Sequence, residues 1–518
     1  MKISKEKMLR IFNKLRYPIE FIIMLIFSIQ LFRFITVKSY QGYWSKNILI
    51  ILFFSGVLLI AILIYNCIKD KDKIENMFIN FAIPVGILFI IFMLPTYTPD
   101  ASSHIWKSYE ISEGILFTPI DDKGESKTTV PEILSTYRES VLTKYKKLDD
   151  ILELESNDSI DSSKTVKVDS PAKGYCFIFY IGYVIGFIIA KIFGLNIFIG
   201  IYLAKIVNFI IFLILGYWSI KKIPFGKILI ATYLMIPMMM HQATAVSFDS
   251  LMNAILIFFI AYTLNLSFKK ETISKKEKII YLILTAIIGV VKMTYLPLIG
   301  IGLIIIKRRK EMNNKEKIIL AILAIVICFG SYFIMNRMTS GYINQTSVKY
   351  LEEAGVDSSA QIHNIISNPI QYLKVLYNNL ITNGDFYLFN AIGDYMGWLS
   401  IKAPVYYSVL YIILILMSII VEKNEEVLRI DEKIWVSFLA ILMAILVITG
   451  LYIEWTGVGA STVAGVQGRY FLPVIILLLL AMCKKKNYIK IKNSNLIILV
   501  CSVFINLLFI KNMIMFFI

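Results

Sequence analysis

Asp100, His104, Glu110 and Glu113 fall within one short polar stretch, 100–114, directly after an apolar run that ends at Leu94-Pro95. Carboxylates and an imidazole at that spacing are the groups of general acid–base chemistry and of anion or metal binding. Charge is costly beside hydrocarbon, so ionisable side chains at the mouth of an apolar segment point to function. On that reading Asp100 is a base or metal contact, His104 touches phosphate or substrate, and Glu113 is a further acid–base candidate. The structural alternative makes 100–112 a plain juxtamembrane helix. Pro95 and Pro99 bracket its entry, Asp100 caps its free amides, and Trp106 and Tyr109 join an interfacial aromatic belt.

Two further constellations share this character. Residues 241–249 (His-Gln-Ala-Thr-Ala-Val-Ser-Phe-Asp) separate two apolar runs, and Asp249, Ser250 and Asn253 enter the second of them. Polar groups placed so face a cavity or one another. Residues 465–473 (Gly-Val-Gln-Gly-Arg-Tyr-Phe-Leu-Pro) open another apolar run. There Gly465 and Gly468 let backbone approach a ligand, beside Gln467 and Tyr470. Arg469 carries a guanidinium suited to two-pronged pairing with phosphate, or one that merely snorkels. Lys292 interrupts a separate apolar run and either binds an anionic headgroup or marks a helix end. Asp394 stands beside Tyr395 and Trp398, a setting that suits sugar stacking. Carboxylates, an arginine and aromatics at membrane mouths fit a ligand that is part lipid, part phosphate and part sugar.

These groups must be positioned by a membrane bundle. The 518 residues are 58% hydrophobic, with a mean hydropathy of +0.71, beyond what a water-soluble fold needs. Runs long enough to cross a bilayer recur about fourteen times. The expected fold is all-α: a polytopic transmembrane helical bundle. Its parts are N-terminal spans over 1–95, an extracytoplasmic loop with a juxtamembrane helix over 96–172, and a central bundle over 173–335. A second extracytoplasmic segment covers 336–402, and C-terminal spans cover 403–518. The first apolar stretch is too long for a signal core, and its basic leader, Arg16 included, reads as a cytoplasmic anchor. The formal charge of +17 sits in short loops between apolar runs, which is topology and contact with membrane lipids rather than nucleic-acid binding. The five cysteines show neither metal spacing nor a disulfide framework and read as packing residues.

The motifs also carry a resemblance. Thr98-Pro99-Asp100-x-x-x-His104 with Ser112-Glu113-Gly114, the Gln242–Asp249 stretch, and Gln467-Gly-Arg-Tyr-Phe-Leu-Pro473 resemble those of a family of bacterial predicted membrane proteins. That family is grouped with the GT-C glycosyltransferases, and the resemblance spans about 75–515. It implies a GT-C-like bundle in the bacterial cytoplasmic membrane, with its N-terminus cytoplasmic. The implied reaction moves a sugar from a polyprenyl-phosphate donor to an envelope glycan or lipid acceptor on the outer face. Asp100 takes the acidic role in the first large external loop, and Arg469 meets donor phosphate. The Glu that family members show after the Asp is Ala101 here, so Glu110, Glu113 or Asp249 would supply a second carboxylate. A divalent cation cofactor would then find one carboxylate and an imidazole as ligands at this place. The rival expectation is a non-catalytic transporter or assembly partner for lipid-linked oligosaccharides.

Overall fold

The computed structural model describes residues 5–41, 46–95, 97–121, 126–139, 164–343, 351, 353–486 and 489–517. The described residues are mostly helical, and eight helices among them are long and apolar enough to cross a membrane. Three shorter apolar helices (Phe177–Ile192, Val405–Val421 and Gly468–Met482) accompany them. Two small antiparallel strand pairs, Thr128–Pro131 with Thr165–Val168 and Tyr395–Met396 with Ile401–Lys402, are the strands among the described residues. Within the expected extracytoplasmic segment 96–172, Glu132–Glu139 forms a helix, and positions 140–163 lie outside the described residues.

Burial separates an inner from an outer ring. The Phe248–Phe268 window is 83% buried, whereas that of Asn314–Tyr342 is 17% buried. Ile74–Phe92 is also central: Phe78, Val85 and Phe89 have no exposed surface. It packs on Ile197–Lys222, Pro237–Thr244 and Ser494–Phe517. Small residues allow close approach elsewhere. A Cβ on Gly186 of Ile181–Ile192 would fall 2.3 Å from the Ala204 backbone in Ile197–Lys222.

Arg16 pairs with buried Asp70 at 2.5 Å, just past the end of Lys46–Lys69. Two expectations are corrected. Cys501 is exposed, not packed, although Cys176, Cys328 and Cys483 are buried as free thiols. The apolar run near 226–240 is not one continuous span, whereas the run near 279–306 is interrupted around residues 292–297, as its sequence suggests. The first is broken into Lys227–Leu234 and Pro237–Thr244 by a proline that cannot continue a helix. The second contains the 3-10 segment Met293–Ile301 around Pro297.

Candidate functional site

Ile74–Phe92 ends where Lys205 of the neighbouring helix Ile197–Lys222 reaches over. Its ammonium donates to the Ile90 and Met93 carbonyls at 2.8 Å each. The chain then turns, and Asp100 adopts a left-handed conformation with φ 60°, uncommon for a residue with a Cβ but tolerated by Asp. Its carbonyl accepts from His104 N at 3.1 Å, while its exposed carboxylate makes no capping hydrogen bond. The expected cap is therefore absent, and the carboxylate stays available. Trp106 does not face the interface either. It is buried, and its indole donates to Leu134 O at 3.3 Å.

His104 lies one turn into Ala101–Ser112 and is buried, with Nδ1 2.7 Å from the Tyr180 hydroxyl. Burial lowers its pKa to about 4, against the opposing pull of Asp100 and Asp249, so the imidazole is neutral near pH 7. The charges of Lys292 and Arg469 also reach it. Tyr175 lies 5.7 Å from the imidazole and stacks on Phe248 at 4.7 Å.

The second constellation arrives from a capped helix. Ser247 caps Phe248–Phe268 by accepting from Asp249 N at 3.2 Å. Tyr183 fixes the turn before it, donating to Ala245 O at 2.7 Å and accepting from Ser247 N at 3.1 Å. Asp249 thereby points at two cations. Lys292 Nζ donates to Oδ1 at 3.0 Å, and Arg469 Nε lies 3.9 Å from Oδ2. Lys292 sits just before Met293–Ile301, with its ammonium over the rings of Phe248 (5.7 Å) and Tyr470 (5.2 Å).

Arg469 belongs to the short 3-10 turn Gly468–Phe471. Gly468 permits this turn: a Cβ there would lie 2.3 Å from Ala391 N and Tyr387 O. Its amide donates to Asn390 Oδ1 at 2.8 Å, and Tyr295 donates to Tyr470 O at 2.8 Å. The turn is thus bolted to both Pro369–Ile392 and the Lys292 segment. The Arg469 guanidinium is 7% exposed, and its Nε has no hydrogen-bond partner. Its Nη2 donates to the Tyr470 hydroxyl at a long 3.4 Å.

Asp100, His104, Asp249, Lys292, Arg469 and Tyr470 therefore gather in one region. Glu113 does not. It closes a 2.5 Å ion pair with Lys191 and ties the end of Ala101–Ser112 to Ile181–Ile192. That partner holds its carboxyl below the usual range. Glu110 turns into the loop, accepting from Thr118 at 2.7 Å. Asp394 precedes a separate hairpin, where Gly397 presses on Tyr97. Burial lifts its carboxyl to about 6. Gln467 precedes the Arg469 turn and contributes its carbonyl to Tyr470 N at 3.1 Å.

Residues 83–478 match the profile of a family described as predicted membrane protein, DUF2142. The chain belongs to that family. Comparison with curated proteins and with solved structures gives no match. The match contains all three constellations, whereas the hairpin Lys5–Gln41/Lys46–Lys69 precedes it.

Beside the charged cluster runs an apolar groove of about 490 Å³, lined by Met293, Leu296, Gly300, Phe329, Trp435 and Phe438 among others. It begins at the residue after Lys292 and is bordered by exposed Met293 and Phe438. Sequence reasoning missed Tyr175, Tyr180, Tyr183, Tyr295 and Lys205. A lysine within an otherwise apolar span was the one available signal among them.

Proposed function

We propose that this protein is a membrane glycosyltransferase with a GT-C-like bundle. It would move a sugar from a polyprenyl-phosphate donor to a cell-envelope glycan or lipid acceptor on the outer face of the bacterial cytoplasmic membrane. The observation that carries this reading is the meeting of Asp249, Lys292 and Arg469 with Asp100 and His104 beside a groove fit for an apolar chain.

In the proposed step, Asp100 takes the proton of the acceptor hydroxyl as that oxygen bonds to the sugar's anomeric carbon. The bond from that carbon to the donor phosphate breaks, and the phosphate leaves with the electron pair. Lys292 and Arg469 neutralise the departing charge. Asp249 holds these two cations before the donor arrives. Neutral His104, fixed by Tyr180, shapes the space beside Asp100. Asp394 is assigned to the acceptor side, since its hairpin packs on Tyr97 in the segment leading to Asp100. Gln467 is assigned to donor binding through the turn it opens. Among the described residues, no three His, Cys, Asp or Glu side chains form a metal-ligand group. In this reading the positive charge comes from the Lys292 and Arg469 side chains.

Deleting the gene should shorten or strip an envelope glycan by one sugar. Wild-type protein should restore it, and Asp100→Asn, present in the membrane at normal amount, should not. An unchanged glycan in the deletion strain refutes the reading.

A second reading, a non-catalytic transporter of lipid-linked oligosaccharides, draws on another observation. His241 Nε2, Gln242 Oε1 and both side-chain polar atoms of Asn253 are buried without hydrogen-bond partners. Polar groups inside a membrane bundle suit a translocation path. That reading requires leaflet exchange of a labelled lipid-linked sugar in proteoliposomes, without its consumption.

A further inference from the structure

The helix Pro369–Ile392 has three faces, and two of them are explained. Its inner face, with Val375, Asn379, Tyr387 and Asn390 buried, holds the functional loop. Asn379 Oδ1 accepts from Val463 N at 3.2 Å, and Asn390 Oδ1 accepts from Gly468 N. A second strip (Gln371, Lys374, Asn378, Thr382, Asp385) is exposed and polar, as water demands. The third face is exposed and apolar: Ile370 72%, Leu373 62%, Tyr377 65%, Ile381 68% and Leu388 47%. These positions recur at helical spacing along one side, directly beside the polar strip. The stripe continues backward onto Ser358–Ser367 through Ile366, 73% exposed.

This helix is not among those apolar enough to span. Its end packs on Val405–Val421, an apolar helix whose own outer residues Tyr406 and Ile413 are 61% and 51% exposed, as a lipid-facing helix requires. The exposed apolar stripe thus belongs to a helix packed on another whose outer face is exposed and apolar. A polar strip and an apolar strip running side by side trace a water–lipid boundary along the helix.

We infer that Pro369–Ile392 lies in the bilayer interface with the Ile370–Leu388 stripe immersed among lipid chains. Its immersion depth fixes the height of the Gly468 turn and of Arg469 relative to the headgroup phosphates. This inference rests on the stripe and its neighbours and does not depend on the proposed sugar transfer.

The test is spin labelling of the full-length protein in nanodiscs of phosphatidylglycerol and phosphatidylethanolamine. Single cysteines replace Leu373, Ile381 or Asn378, in a background lacking Cys67 and Cys501. Labels at 373 and 381 should be reached severalfold better by oxygen, which partitions into lipid, than by a water-soluble nickel chelate. The order should reverse at 378. Equal access of the chelate at all three sites places the stripe in water and overturns the inference. Protection from both reagents with label–label broadening means that a second copy covers the stripe, and overturns it equally.

Discussion

Two guanidinium–carboxylate pairs in this bundle, one half-buried and one buried, are built to opposite standards. Arg308 grips Glu432 with both prongs, Nε to Oε1 at 2.8 Å and Nη2 to Oε2 at 2.6 Å. It donates again to Val427 O at 3.1 Å and lies 3.7 Å over the ring of Phe268. Glu432 also accepts from Arg429 N at 2.8 Å. Arg469 is at least as buried, yet its nearest carboxylate oxygen is 3.9 Å away and its Nε is unpartnered. A saturated fork is a finished structural joint. A buried guanidinium with unused donors costs stability and makes sense where an incoming anion completes it. Burial and charge alone do not separate a brace from a binding site. The degree of hydrogen-bond satisfaction does.

Substitution across the two pairs should show opposite profiles. Arg308→Ala leaves Glu432 buried beside only the exposed Arg429 and should cost about 3 kcal/mol of stability, read as a lower unfolding temperature in detergent. Arg469→Ala leaves Asp249 still paired with Lys292 and removes a buried guanidinium whose donors are largely unused, so it should cost less than Arg308→Ala. A larger stability loss at Arg469 than at Arg308 breaks the comparison. Binding of polyprenyl phosphate should invert the order. Losing charge-assisted bonds from Arg469 removes about 1.5–3 kcal/mol, roughly a tenfold to hundredfold rise in Kd, while Arg308→Ala leaves Kd unchanged. Arg469→Lys should recover only part of the affinity, since an ammonium lacks the planar fork. Gly468→Ala comes next in size. Its methyl cannot fit beside Ala391 N and Tyr387 O, so the Arg469 turn must move, at about 1–3 kcal/mol for an overpacked contact. Donor affinity should fall severalfold even in protein that remains folded. Unchanged affinity would mean that the turn does not position Arg469.

Sequence alone made the charged half of this region legible. Asp100, His104, Asp249, Lys292 and Arg469 stand out because each breaks an apolar context in which charge is expensive. The tyrosines that orient them do not stand out, because tyrosines at span ends are commonplace in membrane helices. Glu113 looked equivalent to Asp100 in sequence. The difference lies in Lys191, distant along the chain, which takes Glu113 into an ion pair. Composition sufficed for a helical membrane protein, but not for the count of spans. Lys227–Leu234 and Pro237–Thr244 are two short, fully buried helices rather than one continuous span. A hydropathy run cannot distinguish those cases. The Arg308 fork was equally hidden, since its loop reads simply as a basic cytoplasmic turn.

The smallest effect expected is a pH dependence that carries the comparison to the imidazole. Burial lowers His104 from its ordinary 6.5 to about 4. Between those values the unfolded chain binds the proton more readily than the folded one. Stability contributed by neutral His104 is therefore complete above pH 6.5 and lost as pH falls toward 4, by at most about 1.4 kcal/mol per unit. Asp394 works in the other direction. Its carboxyl is raised from 3.8 to about 6, so the folded state binds its proton more readily in that window and loses stability as pH rises through it. Unfolding temperatures measured from pH 4.5 to 7.5 should separate the two, with His104→Gln removing the acid-side loss and Asp394→Asn the opposing trend. The two arginines then give the discriminating pair. The Arg469 charge reaches His104 and disfavours its protonation, so Arg469→Ala should raise the folded pKa of His104 and make the acid-side loss smaller and complete at a higher pH, whereas Arg308→Ala should leave it in place. If Arg469→Ala does not move that window, Arg469 and His104 do not share one electrostatic chamber, and the contrast between an open site and a closed joint loses its functional meaning.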